Sequence, residues 1–127
     1  MASSTLLPSS TLLRGGEWLL QGSDPASVFT PERTTEEHRL IAQTVADFVN
    51  NEVLPVLDRL EEKDWDLARQ LVRRCGDLGL LGVDVAETYG GVELDKVTST
   101  IVSEGMAQSA SFGAAFGAQA NLTILPL

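Results

Sequence analysis

The side chains best suited to nucleophilic or acid–base chemistry in this sequence are one thiol, one imidazole and a short acidic run. Cys75 and His38 are the only residues of their types. A thiol nucleophile needs a neighbouring base, and the two residues fall on different predicted helices. We therefore interpret Cys75 as a small buried hydrophobic residue on a helix. The sequence predicts no catalytic residue in this chain.

The acidic run of Glu61, Glu62, Asp64 and Asp66 is interrupted by Lys63. Paired carboxylates act as acid and base only in a pocket that shifts their pKa, and nothing nearby in the sequence would desolvate these. We expect a solvated junction between helices. No His, Cys and carboxylate group has metal-site spacing, and the Gly90-Gly91 pair lacks the strand and helix of a phosphate-binding loop. No metal site is predicted.

Composition restricts the possible partners. The chain has 127 residues, the size of one domain, and a net charge of −9,. That sign repels phosphate backbones and anionic membranes, so nucleic-acid binding is not expected. No apolar run is long enough for a membrane span. A single cysteine provides neither an internal disulfide nor a zinc site.

Three regions are predicted along the chain. Residues 1–13, rich in Ser and Thr, are expected to form a disordered tail. Residues 14–33 are expected to form an extended arm, because Gly15, Gly16, Gly22 and Pro25 interrupt them,. Residues 34–127 are expected to form a helical domain, since apolar residues recur there at helical spacing.

The first long helix is predicted to begin near Thr34, which has capping-box spacing to Glu37. Pro55 removes a backbone donor and should kink this helix or start a second segment. Asp64 is predicted to cap the next helix, with Gly79 as its stop. Its apolar stripe consists of Leu67, Leu71, Cys75 and Leu78.

Residues 79–91 are glycine-rich and predict a connection without helix, with a short extended stretch at Val83 and Val85. Asp95 is predicted to cap the following helix. Ser111 is predicted to open a last segment with unusually small side chains, in which Gly113 and Gly117 lie four residues apart. Glycine in a helix costs about 1 kcal/mol relative to alanine. Either close helix packing or space for a ligand would explain the two glycines.

Together these segments predict an all-α bundle of four to five helices with at most a token strand. Pro126 and Leu127 end the sequence within an apolar stretch, without a polar capped terminus. We therefore expect the helical domain to be incomplete at its C-terminus.

Residues 79–108, GLLGVDVAETYGGVELDKVTSTIVSEGMAQ, resemble the acyl-CoA dehydrogenase family, which has a Gly-Leu-Leu-Gly turn, a Glu-x-Tyr-Gly-Gly loop and a helix containing Ser-Glu. Upstream, the first helix ends in a similar Phe-Val-x-x-Glu-Val-x-Pro pattern, and downstream SFGAAFGAQ and Leu125-Pro126 resemble the start and end of the family's following helix. The arm is similar to that of long- or very-long-chain members. The matching positions include Phe48, Val49, Glu52, Val53, Pro55, Gly79, Leu80, Gly82, Glu87, Tyr89, Gly90, Gly91, Leu94, Ser103 and Glu104.

The resemblance implies an N-terminal helical domain of an FAD-dependent enzyme that removes two hydrogens from the Cα–Cβ bond of an acyl-CoA. The middle β domain, the C-terminal bundle and the catalytic glutamate of that family are missing from this sequence. The chain alone is therefore expected to be inactive and to bind no FAD tightly; FAD is expected in the full-length enzyme.

The resemblance also implies that the last helix forms one wall of the acyl pocket and that side-chain size there limits the depth for the chain. The residues expected at this wall are Phe112, Phe116, Gly117, Ala118 and Leu122.

Two other functions share this fold: a non-catalytic interaction or assembly module, and a flavin oxidase or monooxygenase. The implied partners are acyl-CoA, the missing middle and C-terminal domains, and further copies of the chain in a homo-oligomer. The N-terminus has few arginines, which favours a bacterial cytoplasmic protein over one of the mitochondrial matrix.

Overall fold

The structure is a computed structural model that describes Leu19, Gly22 and residues 29–124. The chain divides into two units, residues 1–33 and 34–127. The predicted disordered tail lies outside the described residues, as does most of the predicted arm; a 3-10 turn, Pro31–Arg33, is described at the end of the first unit. The second unit contains the helices α1 (Glu36–Phe48), α2 (Leu57–Glu61), α3 (Trp65–Asp77), α4 (Lys96–Met106) and α5 (Ala110–Gly117).

Helix α1 begins with a capping box one residue later than the sequence predicted. Thr35 has an extended backbone, and its hydroxyl accepts the N–H of His38 at 3.1 Å. In return His38 Nδ1 accepts the Thr35 N–H at 3.2 Å. The prediction of Thr34 with Glu37 was wrong because two threonines are adjacent and the imidazole takes the place of the usual carboxylate.

Pro55 interrupts the helix that follows α1, as predicted. The chain passes through a π-helical turn, Val49–Val53, and a 3-10 turn, Leu54–Val56, before α2. The Leu54 N–H reaches back five residues to the Val49 carbonyl. Proline has no N–H to continue the α-helical pattern, so the chain changes its hydrogen bonding over this stretch.

Helix α3 has the cap that the sequence predicted. The Asp64 carboxylate accepts the Leu67 N–H at 3.0 Å. Leu71 and Cys75 are buried, whereas Leu67 and Leu78 are half-buried and pack against the core from its edge. The predicted stripe therefore faces the interior.

The connection between α3 and α4 is held by backbone hydrogen bonds without forming a strand. The Val85 N–H bonds to the Gly82 carbonyl, closing a turn, and the Leu94 N–H bonds to the Val83 carbonyl at 2.8 Å. The short extended stretch predicted at Val83 and Val85 was therefore wrong, because this turn closes around it. Val83 is buried in the core.

The last two α-helices are capped by Asp95 and Ser109. Asp95 accepts the Thr98 N–H at 2.7 Å, as predicted. Ser109, in extended conformation, accepts the Phe112 N–H at 3.3 Å. The predicted start at Ser111 was two residues late, because Ser111 already lies within α5 with its hydroxyl buried.

The second unit has one hydrophobic core, to which the turn after α1, helices α1, α3, α4 and α5 and the loop before α4 all contribute. Within the described part of the chain there are four α-helices of eight or more residues and a short fifth one, so the all-α prediction is confirmed. The buried apolar residues are Val45, Phe48, Val49, Val53, Leu71, Cys75, Leu80, Val83, Val102, Met106, Phe112 and Phe116.

Helices α1 and α4 pack closely at Gly105. A Cβ atom added at Gly105 would overlap Val45 Cγ1, whose side chain is fully buried. By contrast, a Cβ atom at Gly76 in α3 would lie 3.7 Å from Leu81 Cδ1, an ordinary contact. Each glycine is the second-last residue of its helix. Only Gly105 lies where a Cβ atom would overlap a neighbouring side chain.

We expect Gly105→Ala to lower the free energy of unfolding by about 1–3 kcal/mol, because the overlap with Val45 outweighs the helix-propensity gain of about 1 kcal/mol. The matched control Gly76→Ala should raise it by about 0.5–1 kcal/mol. Urea denaturation of the two variants measures both effects. A Gly105→Ala variant as stable as Gly76→Ala would contradict the packing described here.

A second prediction concerns the cap of α4. The Thr98 N–H and hydroxyl, and then His38, hold the pKa of Asp95 below its usual value. Such a group stabilises the fold above its unfolded pKa of about 3.9 and loses that contribution as the pH falls through the lower folded value. We expect the unfolding free energy of Asp95→Asn to depend less on pH below about pH 4 than that of the unchanged chain. Asp77→Asn, an exposed change on α3, is the control; equal acid dependence in all three would contradict the assignment.

Candidate functional site

Helix α5 and the π-helical segment that follows it, Ala118–Ile124, carry the residues that the sequence analysis placed at an acyl pocket. The structure divides these residues between two sides. Phe112 and Phe116 are buried in the core, at 2% and 3% exposure. The Phe112 ring lies against Phe48 of α1, with centroids 5.9 Å apart and planes tilted by 51°. These two side chains attach α5 to the bundle and leave its opposite side free.

The opposite side of α5 is apolar and exposed. Ala114, Ala115 and Ala118 are exposed, and Leu122 in the following turn is 76% exposed. We call these four residues the apolar outer face. Gly117 lies beside it, half-buried. Within the described residues the outer face has no covering element, although contiguous apolar surface usually marks a binding site.

The two glycines of α5 have different structural roles. A Cβ atom at Gly113 would approach the Met106 carbonyl oxygen at 2.9 Å, so this glycine permits a close turn between α4 and α5. A Cβ atom at Gly117 would meet nothing within 4 Å. Close packing therefore explains Gly113, whereas Gly117 leaves open space next to the outer face.

After Gly117 the chain continues as a π-helical segment, Ala118–Ile124. The Thr123 hydroxyl donates to the Ala118 carbonyl oxygen five residues earlier, at 3.0 Å. A π-helix is wider than an α-helix and occurs frequently at functional sites. This segment determines where Ala118 and Leu122 lie, and nothing in the local sequence predicted it.

Two concavities lie beside α5 in the part of the chain that the structure describes. A groove of about 430 Å³ between α3 and α5 is lined by Ala115 and Gln119 on one side and by Trp65, which is 63% exposed, on the other. A smaller, partly open cavity beside Phe116 measures about 10 Å³, room for one water molecule.

Cys75 and His38 are not arranged as a catalytic pair. Both imidazole nitrogens have partners elsewhere, Nδ1 with the Thr35 N–H and Nε2 with the Asp95 carboxylate. Burial, and then the charge of Glu52, raise the pKa of the Cys75 thiol to about 12. Since the thiolate is the nucleophile, Cys75 is inert in the folded state.

The acidic run is a solvated helix junction, as the sequence analysis expected. Asp64 caps α3 and accepts a hydrogen bond from Arg59 at 2.6 Å, and Asp66 pairs with Arg69. No group of three or more His, Cys, Asp or Glu side chains among the described residues is placed to hold a metal ion. The part of the chain that the structure describes also contains no helix long and apolar enough to cross a bilayer.

The side-chain pair that the sequence analysis missed is His38 with Asp95. His38 is 5% exposed, and its Nε2 lies 3.3 Å from the nearer Asp95 oxygen. The two residues are 57 positions apart, so no local pattern connects them. The one available signal was that the only histidine follows a threonine by three residues, the capping-box spacing.

We expect Cys75 to be unreactive towards iodoacetamide at pH 8 in the folded chain and to react fully in concentrated urea, because burial removes both access and thiolate. Mass spectrometry of the labelled protein over time measures this. Stoichiometric labelling without denaturant would contradict the burial of the thiol.

Comparisons with known proteins agree with this architecture. The sequence model described as "Acyl-CoA dehydrogenase, N-terminal domain" matches residues 35–127. A probable acyl-CoA dehydrogenase of Bacillus subtilis (strain 168) is 37% identical over 114 residues, which cover 90% of this chain and 19% of that protein. The long-chain specific mitochondrial acyl-CoA dehydrogenase of Sus scrofa is 31% identical over 71% of this chain and 21% of its own length.

A solved structure shows the same fold. The crystal structure of an acyl-CoA dehydrogenase complexed with FAD from Bacillus anthracis superposes with a TM-score of 0.82 at 43% sequence identity, covering 88% of this chain and 20% of that one. The chain thus spans about a fifth of the length of each of these three relatives. It belongs to the acyl-CoA dehydrogenase family, whose N-terminal domain it matches.

Proposed function

We propose that this chain acts as the N-terminal helical domain of an FAD-dependent acyl-CoA dehydrogenase and contributes one wall of its acyl pocket. The observation that carries the proposal is the apolar outer face of α5, which stays exposed while Phe112 and Phe116 fix the other side of the helix in the core. A helix that is apolar on all sides but buried on just one side leaves apolar surface in water. It therefore needs a second apolar contact. An acyl chain supplies such a contact.

The side chains of the outer face favour long acyl chains as substrates. Each methylene that leaves water contributes about 0.8 kcal/mol to binding, so the depth available decides how many methylenes contribute. Ala118 has only a methyl group, and Gly117 adds open space beside it. A larger side chain at either position would occupy this depth.

The chain's role in this proposal is shape and exclusion of water, without proton transfer. None of the four outer-face residues titrates, and the nearby carboxylates of Asp64, Asp66 and Glu52 are engaged in a cap or in ion pairs. The proposed enzyme therefore takes its catalytic base and its FAD-binding residues from outside the described part of the chain. No step of the reaction is assigned to the residues described here.

The proposed setting follows from the same relatives. The similarity to the Bacillus proteins supports a bacterial enzyme, and we propose the cytoplasm as its compartment and acyl-CoA as its substrate. The exposed outer face also supports association with further protein surface, which we propose includes the remaining domains and other copies of the chain.

The proposal is tested by Ala118→Glu in a full-length enzyme that carries this domain, with turnover measured against acyl-chain length. We expect kcat/KM for long-chain substrates to fall at least about tenfold relative to that for short ones, because losing two buried methylenes already costs about that factor. The larger side chain of glutamate reduces the depth available to the acyl chain. Its charge also makes removal of water by an acyl chain costly in free energy.

The matched control is Ala42→Glu, the same change at an exposed position of α1. It should leave the chain-length profile unchanged. An Ala118→Glu enzyme that keeps the profile of the unchanged enzyme would refute the placement of the outer face at the acyl pocket.

A further inference from the structure

The buried imidazole of His38 connects the N-termini of two helices. Nδ1 accepts the N–H of Thr35, the N-cap of α1, at 3.2 Å. Nε2 lies 3.4 Å and 3.3 Å from the two carboxylate oxygens of Asp95, the N-cap of α4. One side chain therefore takes part in the capping of both helices.

These contacts fix the position of the imidazole proton. Nδ1 must be unprotonated to accept the Thr35 N–H, so the proton of the neutral ring is on Nε2, where it donates to Asp95. An imidazolium has a proton on both nitrogens. Its Nδ1–H would point at the Thr35 N–H, donor against donor, whereas its Nε2–H would bind Asp95 more strongly as a charge-assisted hydrogen bond.

Charged residues flank the ring in the first turns of both helices. On α4, Asp95 contacts the ring directly, and Lys96 pairs with Asp84. On α1, Glu36 pairs with Arg39, and Glu37 lies exposed in the same first turn. Arg33 precedes the cap by two residues.

Asp95 remains ionised while a histidine titrates. The Thr98 N–H and hydroxyl, followed by His38, hold the pKa of Asp95 below its usual value. The carboxylate therefore keeps its two bonds from Thr98 whether or not the ring is protonated.

We propose that His38 is a pH-operated latch on the start of α1: a proton taken from solvent onto Nδ1 opens the Thr35 capping box and leaves the Asp95 cap of α4 closed. The Thr35 N–H then exchanges its bond to Nδ1 for one to water. At neutral pH the Thr35 N–H keeps its bond to Nδ1.

The test is an NMR titration of the ¹⁵N-labelled 127-residue chain from pH 8 to pH 5. A long-range ¹H–¹⁵N correlation spectrum of the ring should show the Nε2–H tautomer at pH 8. As the ring titrates, the protection of the Thr35 amide against hydrogen exchange, relative to its intrinsic exchange rate, should fall roughly fivefold, the size of a typical capping interaction. The protection of the Thr98 amide should stay constant.

The matched variant is His38→Gln, because glutamine at this position accepts the N-cap N–H in a capping box and does not titrate. The Thr35 amide of this variant should show no pH-dependent loss of protection. The Nδ1–H tautomer at pH 8 in the unchanged chain, a Thr35 amide indifferent to titration of the ring, or an equal loss in His38→Gln would each overturn the proposal. The tautomer is measured on the unchanged chain and so decides the matter even if the variant does not fold.

Discussion

Helices α1 and α4 lie so close that the Val45 side chain occupies the space where any residue but glycine at position 105 would carry its Cβ atom. At the start of α4, the N-caps of α1 and α4 share the imidazole of His38. Near its end, the buried side chains of Val102 and Met106 flank Gly105. The position of α4 is thereby determined both at its start and near its end. The elements that follow α4 are positioned by it.

The route from α4 to α5 shows how a packing constraint leaves one apolar face exposed. Gly113 allows α5 to approach the Met106 carbonyl, and the Ser109 cap starts the helix only three residues after α4 ends. This tight turn brings Phe112 onto Phe48. With that side of α5 in the core, Ala118 and its neighbours necessarily face outward.

The sequence predicted the helices well where a residue has one physical role. Asp64 and Asp95 are isolated cap residues, and each caps the helix that it was predicted to cap. Pro55 has no N–H, which left the chain no continuous α-helix,. The predicted helix starts were displaced where two similar residues could each serve as the N-cap. Thr34 lies beside Thr35, and Ser111 lies near Ser109.

Other features depended on residues far apart in the chain and had no local pattern. The pairing of His38 with Asp95 spans 57 positions, and a histidine at the third position of a helix falls outside the Glu or Gln of the usual capping box. Gly113 and Gly117 look alike in sequence, yet only the position of Met106 gives them different roles. The π-helical segment after Gly117 likewise has no sequence signature comparable to a cap. The sequence predicted that all residues of the acyl wall lie on one helical segment. It could not divide them between the core and the outer face, because a helix that is apolar on all sides has no polar side to orient it.

The same lack of polarity explains what such a helix would contribute to the flavin enzyme proposed above. A charged or hydrogen-bonding side chain on the outer face would have to be desolvated by an acyl chain without receiving a partner in return, at a cost of several kcal/mol. Small apolar residues avoid that cost and leave volume for the ligand. They also remove every group that could transfer a proton, so selectivity by chain length and acid–base chemistry must be located on different elements. A domain fixed by the contact between Gly105 and Val45, with several of its carboxylates used in caps and surface ion pairs, would be suited to the first task and would leave the second to other residues.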